Sequence, residues 1–169
     1  MDPGQLLLKA ASDGDLASVL EALALCTSME SVNAFGETAL ICASCNGHLE
    51  IVRLLLAKGA DTEHRAKWGL TALTQAVSWE HSEIVQALLH AGAEIDGITE
   101  NDTTPLMIAA ARGNMEIVRL LLKRGADPDR RDSHAWNSWV WATDKGNDDI
   151  AQLLAQSGAQ PGFPEVSET

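Results

Sequence analysis

Phe35-Gly-Glu-Thr-Ala-Leu-Ile-Cys-Ala-Ser-Cys-Asn-Gly-His-Leu-Glu-Ile-Val-Arg-Leu-Leu-Leu-Ala-Lys-Gly-Ala-Asp61 holds one complete structural unit of the chain. Thr38 can cap a helix start by accepting a hydrogen bond from an orphan amide. A short helix follows, with Leu40 and Ala43 on its buried side, and Gly47 breaks it. A second helix starts at once. His48 holds its entry slot, and Glu50 places a negative charge where the helix dipole favours one. Leu49, Val52, Leu55 and Leu56 supply an apolar stripe at helical spacing. Gly59 gives the left-handed residue that closes the helix, and a polar, turn-prone segment leads on.

Outward from this stretch the same unit recurs at one fixed interval. Gly59, Gly92, Gly125 and Gly158 keep it, and Ala60, Ala93, Ala126 and Ala159 follow them. Thr38, Thr71 and Thr104 are spaced alike, with Asn137 next; Pro105 falls at a first helical position, where its missing N–H costs little. Gly47, Gly113 and Gly146 share a slot that Glu80 fills in the third unit. Asp15, His48, His81, Asn114 and Asn147 share the entry slot, each able to bond the first helical turn. One helix pair cannot bury its own apolar face, so a fixed period of this length predicts stacked helix pairs sharing a continuous core.

Units 36–61, 69–94 and 102–127 carry the pattern best. The last reads Asp102-Thr103-Thr104-Pro105-Leu106-Met107-Ile108-Ala109-Ala110-Ala111-Arg112-Gly113-Asn114-Met115-Glu116-Ile117-Val118, then Leu121-Leu122 and Gly125-Ala126-Asp127. It resembles the ankyrin repeat, G-x-T-P-L-H-x-A-A-x-x-G-H-x-E-I-V-x-x-L-L-x-x-G-A-D. The resemblance implies an all-α fold: an α-solenoid of helix–turn–helix units joined by β-hairpin-like loops, an elongated stack curving to the right. We expect one repeat domain over residues 3–160, with units near 3–28, 29–61, 62–94, 95–127 and 128–160, and a flexible tail over 161–169.

Two departures carry physical content. The family's His after Leu is replaced by Ile41, Thr74, Met107 and Val140, so its bonds between neighbouring turns should be absent and packing should carry more of the stability. Glu80 is expected in a left-handed conformation at a cost of about 1 kcal/mol. At the ends, Leu16, Val19, Leu20 and Leu23 are expected to be buried while Asp13, Asp15 and Glu21 face out. In the last unit Ile150, Leu153 and Leu154 should point inward, and Asp148, Asp149, Gln152 and Gln156 outward. Polar outer faces stop a solenoid from growing end to end.

Composition narrows the function. The formal net charge is −12, which repels phosphate backbones and argues against nucleic-acid binding. Residues 1–52 carry seven acids and one base, Lys9, whereas six of the twelve bases lie between Arg112 and Arg131. Three cysteines (Cys26, Cys42, Cys45) form no disulfide framework and fit a reducing compartment. The start Met1-Asp2-Pro3-Gly4 has no basic region, and no apolar run approaches the length that a membrane helix needs. Neither a signal peptide nor a membrane span is therefore expected. These features lead to the expectation of a cytoplasmic monomer, with a nuclear setting as the alternative.

No phosphate-binding glycine loop or nucleophile elbow is present. Cys42-Ala-Ser-Cys45 with His48 has metal-like spacing but no evident fourth ligand. The repeat frame puts Cys42 in mid-helix and Cys45 at an exposed end. We therefore expect neither an enzyme nor a cofactor. In the family resembled, the hairpin residues around the Gly before Thr, and the end of the first helix, line a concave groove that grips other proteins. Carried over, those slots hold Ala34, Phe35, Glu37, Cys45 and Asn46; Lys67, Trp68, Leu70, Ser78 and Trp79; Glu100, Asn101, Thr103, Ala111 and Arg112; and Ser133, His134, Trp136, Asp144 and Lys145. Trp68, Leu70, Trp79 and Arg112 are expected together in a central groove. Large apolar residues at exposed tips need something to cover them, and Trp and Arg are common interface anchors. The competing reading is that these rings pack on their own hairpins. Trp139 occupies a core Leu slot, and Trp141 is expected to fill space near the last core. A scaffold or adaptor for a protein partner follows, with a stoichiometric inhibitor or regulatory subunit of an enzyme such as a kinase as the alternative.

Overall fold

Helix starts are set by side chains that accept an amide hydrogen bond. Thr38, Thr71, Thr104 and Asn137 are buried, and their side chains accept from the amides of Ile41, Thr74, Met107 and Val140 at 3.4, 3.2, 3.3 and 3.0 Å. The computed structural model describes residues 2–25 and 28–162; Cys26 and the tail beyond residue 162 lie outside them. Among the described residues ten α-helices run in five pairs: α1 Pro3–Asp13, α2 Leu16–Leu25, α3 Ala39–Cys45, α4 Leu49–Ala57, α5 Ala72–Ser78, α6 Ser82–His90, α7 Pro105–Arg112, α8 Met115–Lys123, α9 Ser138–Asp144 and α10 Asp148–Gln156. No strand occurs among the described residues. The chain divides into two compact units, Met1–Glu94 with α1–α6 and Ile95–Thr169 with α7–α10.

In the first unit α1 packs on α3 and α3 on α5, while α2 and α6 flank α4. Leu7, Leu40 and Leu73 from the first helix of each pair, and Val52, Leu55, Val85 and Leu88 from the second helices, are buried there. In the second unit α7 packs on α8 and α9, and α9 on α10, around Leu106, Met107, Val118, Leu121, Val140 and Leu154. Each such side chain contributes roughly 1.5–3 kcal/mol by leaving water.

The entry slot behaves differently from the expectation. Asp15 and Asn114 do cap their own helices, accepting from Ser18 N at 3.1 Å and Ile117 N at 3.0 Å. His48, His81 and Asn147 instead reach back to the preceding pair. His48 Nε2 lies 3.1 Å from Ser12 O, and His81 Nε2 3.1 Å from Cys45 O. Asn147 Nδ2 donates to Ala110 O at 2.8 Å. The last carbonyls of a helix lack intrahelical partners, and these side chains satisfy them. The same contact demands glycine in the preceding turn. Gly47 has φ 79°, and a Cβ there would sit 2.7 Å from His81 Cε1.

A second set of bonds joins consecutive pairs. The amides of Asp61, Glu94, Asp127 and Gln160 donate to the carboxylates of Glu30, Glu63, Asp96 and Asp129 at 3.3, 3.0, 3.2 and 2.9 Å. Donor slots and acceptor slots each keep the repeat interval. Polar ties therefore link neighbouring pairs within each unit, alongside the packing expected to carry more of the stability. Of the replacements, Thr74 bonds its own cap: its Oγ1 accepts from Thr71 N at 2.8 Å.

The ends are partly as expected. Ile150 and Leu154 are buried, Leu153 is half-buried, and Asp148, Asp149, Gln152 and Gln156 are exposed. At the other end Val19 and Ala22 are buried, but Leu16 is 39 % and Leu20 52 % exposed, and Leu23 is half-buried. Leu16 and Leu20 form an i,i+4 ridge turned away from the Val19–Ala22 face that α2 presents to α1. Glu80 takes φ 63°, as its slot requires.

Candidate protein-interaction surface

In the first unit one asparagine organises the hairpin before α3. Asn33 Oδ1 accepts from the amides of Phe35 at 2.8 Å and Glu37 at 3.1 Å, and its Nδ2 donates to Glu37 Oε2 at 2.7 Å. The resulting turn leaves the Phe35 ring 53 % exposed. Lys67 N donates to Phe35 O at 2.9 Å, and Lys67 Nζ lies 5.3 Å from the Phe35 ring centre. The two adjacent hairpins are thus joined by backbone and side chain.

The hairpin before α5 turns differently. Residues 33, 99 and 132 hold Asn, Thr and Asp, whose side chains accept amides of their own turns. Ala66 has that slot here and offers no acceptor. Trp68 (φ 61°, ψ 17°) and Gly69 (φ 70°) are both left-handed, and Leu70 N donates to Lys67 O at 3.4 Å. Two successive left-handed residues are the signature of a type I′ turn, which favours Asn-Gly. A bulky aromatic in that conformation is uncommon. Trp68 is nonetheless 61 % exposed, so burial of its ring does not offset the strain. Sequence reading missed this strain; the Ala in the acceptor slot was the available signal.

Trp79 ends α5 and is 59 % exposed. Its amide donates to Gln75 O at 3.0 Å, one turn back, and Gln75 Nε2 donates to Glu37 Oε1 at 3.4 Å. Leu70 is half-buried. Asn46 Nδ2 donates to Cys42 O at 3.0 Å, closing α3. Gln5, Leu8, Lys9, Ser12, Asn33, Glu37, Cys42, Cys45 and Asn46 line a shallow depression between α1, α3 and the first hairpin. Cys42 is buried, and burial followed by the Glu37 charge pushes its thiol up to about 12. Cys45 is half-buried rather than exposed, and the same two causes raise its pKa. Neither environment favours the nucleophilic thiolate. Among the described residues no three His, Cys, Asp or Glu side chains come together as metal ligands.

The second unit arranges its rings inward on one another. Asp132 Oδ1 accepts from the amides of His134 and Trp136, each at 2.9 Å, and Oδ2 accepts from Trp141 Nε1 at 2.9 Å. Trp136 meets Trp141 edge to face, 5.1 Å between centres at 67°. Lys145 Nζ lies 5.8 Å from the Trp141 centre and 2.9 Å from Asp144. Trp136, Trp139 and Trp141 are half-buried, whereas His134, Asn101 and Arg112 are exposed. Asn101 O accepts from Ser133 N at 3.1 Å, joining the two hairpins of this unit. Phe35, Asn46, Lys67, Trp68, Leu70 and Trp79 therefore belong to the first unit, and Asn101, Arg112, His134, Trp136 and Lys145 to the second.

Paired short helices, a cap at the same slot of the last four pairs, and hairpins at one constant spacing define a known repeat. A family model described as ankyrin repeats, in three copies, matches residues 7–98 and 94–164. The chain belongs to the ankyrin-repeat family. No curated protein matches it. Ankyrin repeats generally serve as protein–protein interaction modules and are typically non-enzymatic. No helix among the described residues of this ankyrin-repeat chain is long and apolar enough to cross a membrane.

Proposed function

We propose that this protein is a non-enzymatic scaffold or adaptor that takes a protein partner on the hairpin and inner-helix surface of its first unit. The observation that carries this reading is the set of three exposed rings, Phe35, Trp68 and Trp79, in slots the helix-pair core does not use. Trp68 adds weight, because its backbone is strained and its ring stays in water. Strain that the fold does not require points to a role elsewhere. Exposed aromatics of this size serve as interface anchors, and a preformed surface binds with little reorganisation. In the second unit Arg112 and His134 are the exposed candidates, while Trp136 and Lys145 also support their own hairpin through Trp141.

Affinity capture from cell extract tests this, with a Trp68→Ala/Trp79→Ala double variant beside the parent protein. Proteins retained by the parent should be recovered at least tenfold less with the double variant, whose far-UV circular dichroism stays unchanged. Equal recovery by both would remove this surface as the docking site.

A further inference from the structure

The depression beside Trp79 holds a carboxylate that the fold does not neutralise. Glu37 is half-buried and receives only neutral donors, Asn33 Nδ2 at 2.7 Å and Gln75 Nε2 at 3.4 Å. It takes part in no ion pair found among the described residues. The nearby cations are committed elsewhere: Lys9 pairs with Asp13, and Lys67 covers the Phe35 ring. Gln75, which meets Glu37, lies one turn before Trp79 at the end of α5, so carboxylate and ring lie along one face of that helix. The first unit as a whole has twelve carboxylates against five Lys and Arg residues (1–94).

A half-buried anion beside an exposed indole suits one side chain above others. Guanidinium is planar, weakly hydrated, binds a carboxylate through two N–H groups and stacks on aromatic faces. Lysine offers a point charge without the flat face. Cation–aromatic contact adds roughly 0.5–2 kcal/mol as the pair is desolvated. We propose that the depression formed by Glu37, Asn33, Cys45 and Asn46 takes an arginine of the partner, paired with Glu37 and stacked on Trp79, while a neighbouring apolar residue of the same segment lies on Phe35 and Trp68. This inference rests on the docking surface proposed above and adds the chemistry of its occupant.

The test uses the full chain and a phage-displayed library of random dodecapeptides. Selected peptides should be rich in arginine next to an apolar residue. Their affinity should fall at least tenfold for Glu37→Gln, a near-isosteric change that keeps an oxygen for Asn33. Replacing the peptide arginine by citrulline should cost as much against the parent protein and nothing further against Glu37→Gln. Peptides that depend on Trp79 but bind Glu37→Gln equally well would overturn the arginine inference and leave the docking surface standing. Retention of no peptide beyond that of the Trp68→Ala/Trp79→Ala variant would overturn both.

Discussion

At residue scale, four non-glycine residues among those described, Trp68, Glu80, Asp102 and Ala135, occupy left-handed conformations that suit glycine or asparagine better. Glu80 (φ 63°) stands where Gly47, Gly113 and Gly146 hold the equivalent turn. Relief of a left-handed non-glycine residue is worth about 1 kcal/mol. Glu80→Gly should therefore raise the thermal midpoint by a few degrees, and a lower midpoint in calorimetry would contradict the strain. Trp68→Asn should act likewise, because Asn-Gly is the preferred type I′ pair. The same change should reduce recovery of captured proteins, so stability and binding move in opposite directions. A loss of both in denaturation and capture assays would mean that the indole supports the hairpin. Glu80 was legible in the sequence because other repeats mark its slot with glycine. Trp68 was not, since Phe35, Asn101 and His134 share its slot without a left-handed backbone.

Between elements, two kinds of polar tie connect one helix pair to the next. The imidazole of His81 fills the space above Gly47 and meets Cys45 O. His81→Ala should cost about 1–2 kcal/mol through the carbonyl left unpaired. Gly47→Ala should cost a similar amount by collision and a forced left-handed alanine. The double variant should be less destabilised than the sum, since the collision needs the ring; strict additivity in urea denaturation would disprove the contact. The Asp129 tie adds a pH dependence. Asp129 is raised by burial, but the Gln160 amide, Asn137 and Arg131 outweigh that and hold its pKa below the usual value. A depressed folded pKa stabilises above the unfolded pKa, and the gain disappears as pH falls through the folded value. The protection factor at Gln160, its exchange rate referred to the intrinsic rate at the same pH, should thus be high at neutral pH and fall in acid, and Asp129→Asn should flatten that profile. Helix starts were readable because a cap acts within a single turn of its own helix. The ties were not, because each joins residues a whole repeat apart, as Glu30 with Asp61 or Asn147 with Ala110.

For the whole molecule, the repeat period was legible in the sequence, and the α-helices among the described residues follow one another in pairs. Charge was equally legible, at −12, and its effect reaches beyond any one contact. A cationic partner should associate faster at low salt, and its on-rate should drop as ionic strength rises past about 0.1 M, where the screening length is roughly 10 Å. A salt-independent on-rate in stopped-flow mixing would mean that the carboxylate excess plays no part in encounter. The inward-packed rings of the last hairpin were harder to read, because a tip slot in the repeat frame does not reveal that Trp136 finds Trp141. The identity of a partner is a property of surface residues that the period leaves unconstrained.

The imidazole seated over Gly47 also means that these repeats are not interchangeable bricks. A turn must be vacant where its successor brings a side chain that reaches back, as His81 does over Gly47, so order along the chain has a grammar. A tandem copy of residues 29–61 obeys it, because Gly47 would precede another His48. A tandem copy of residues 62–94 breaks it, because Glu80 would thrust a Cβ into the duplicated His81. The first array should fold more stably than the second, although both are built from a natural segment of one protein.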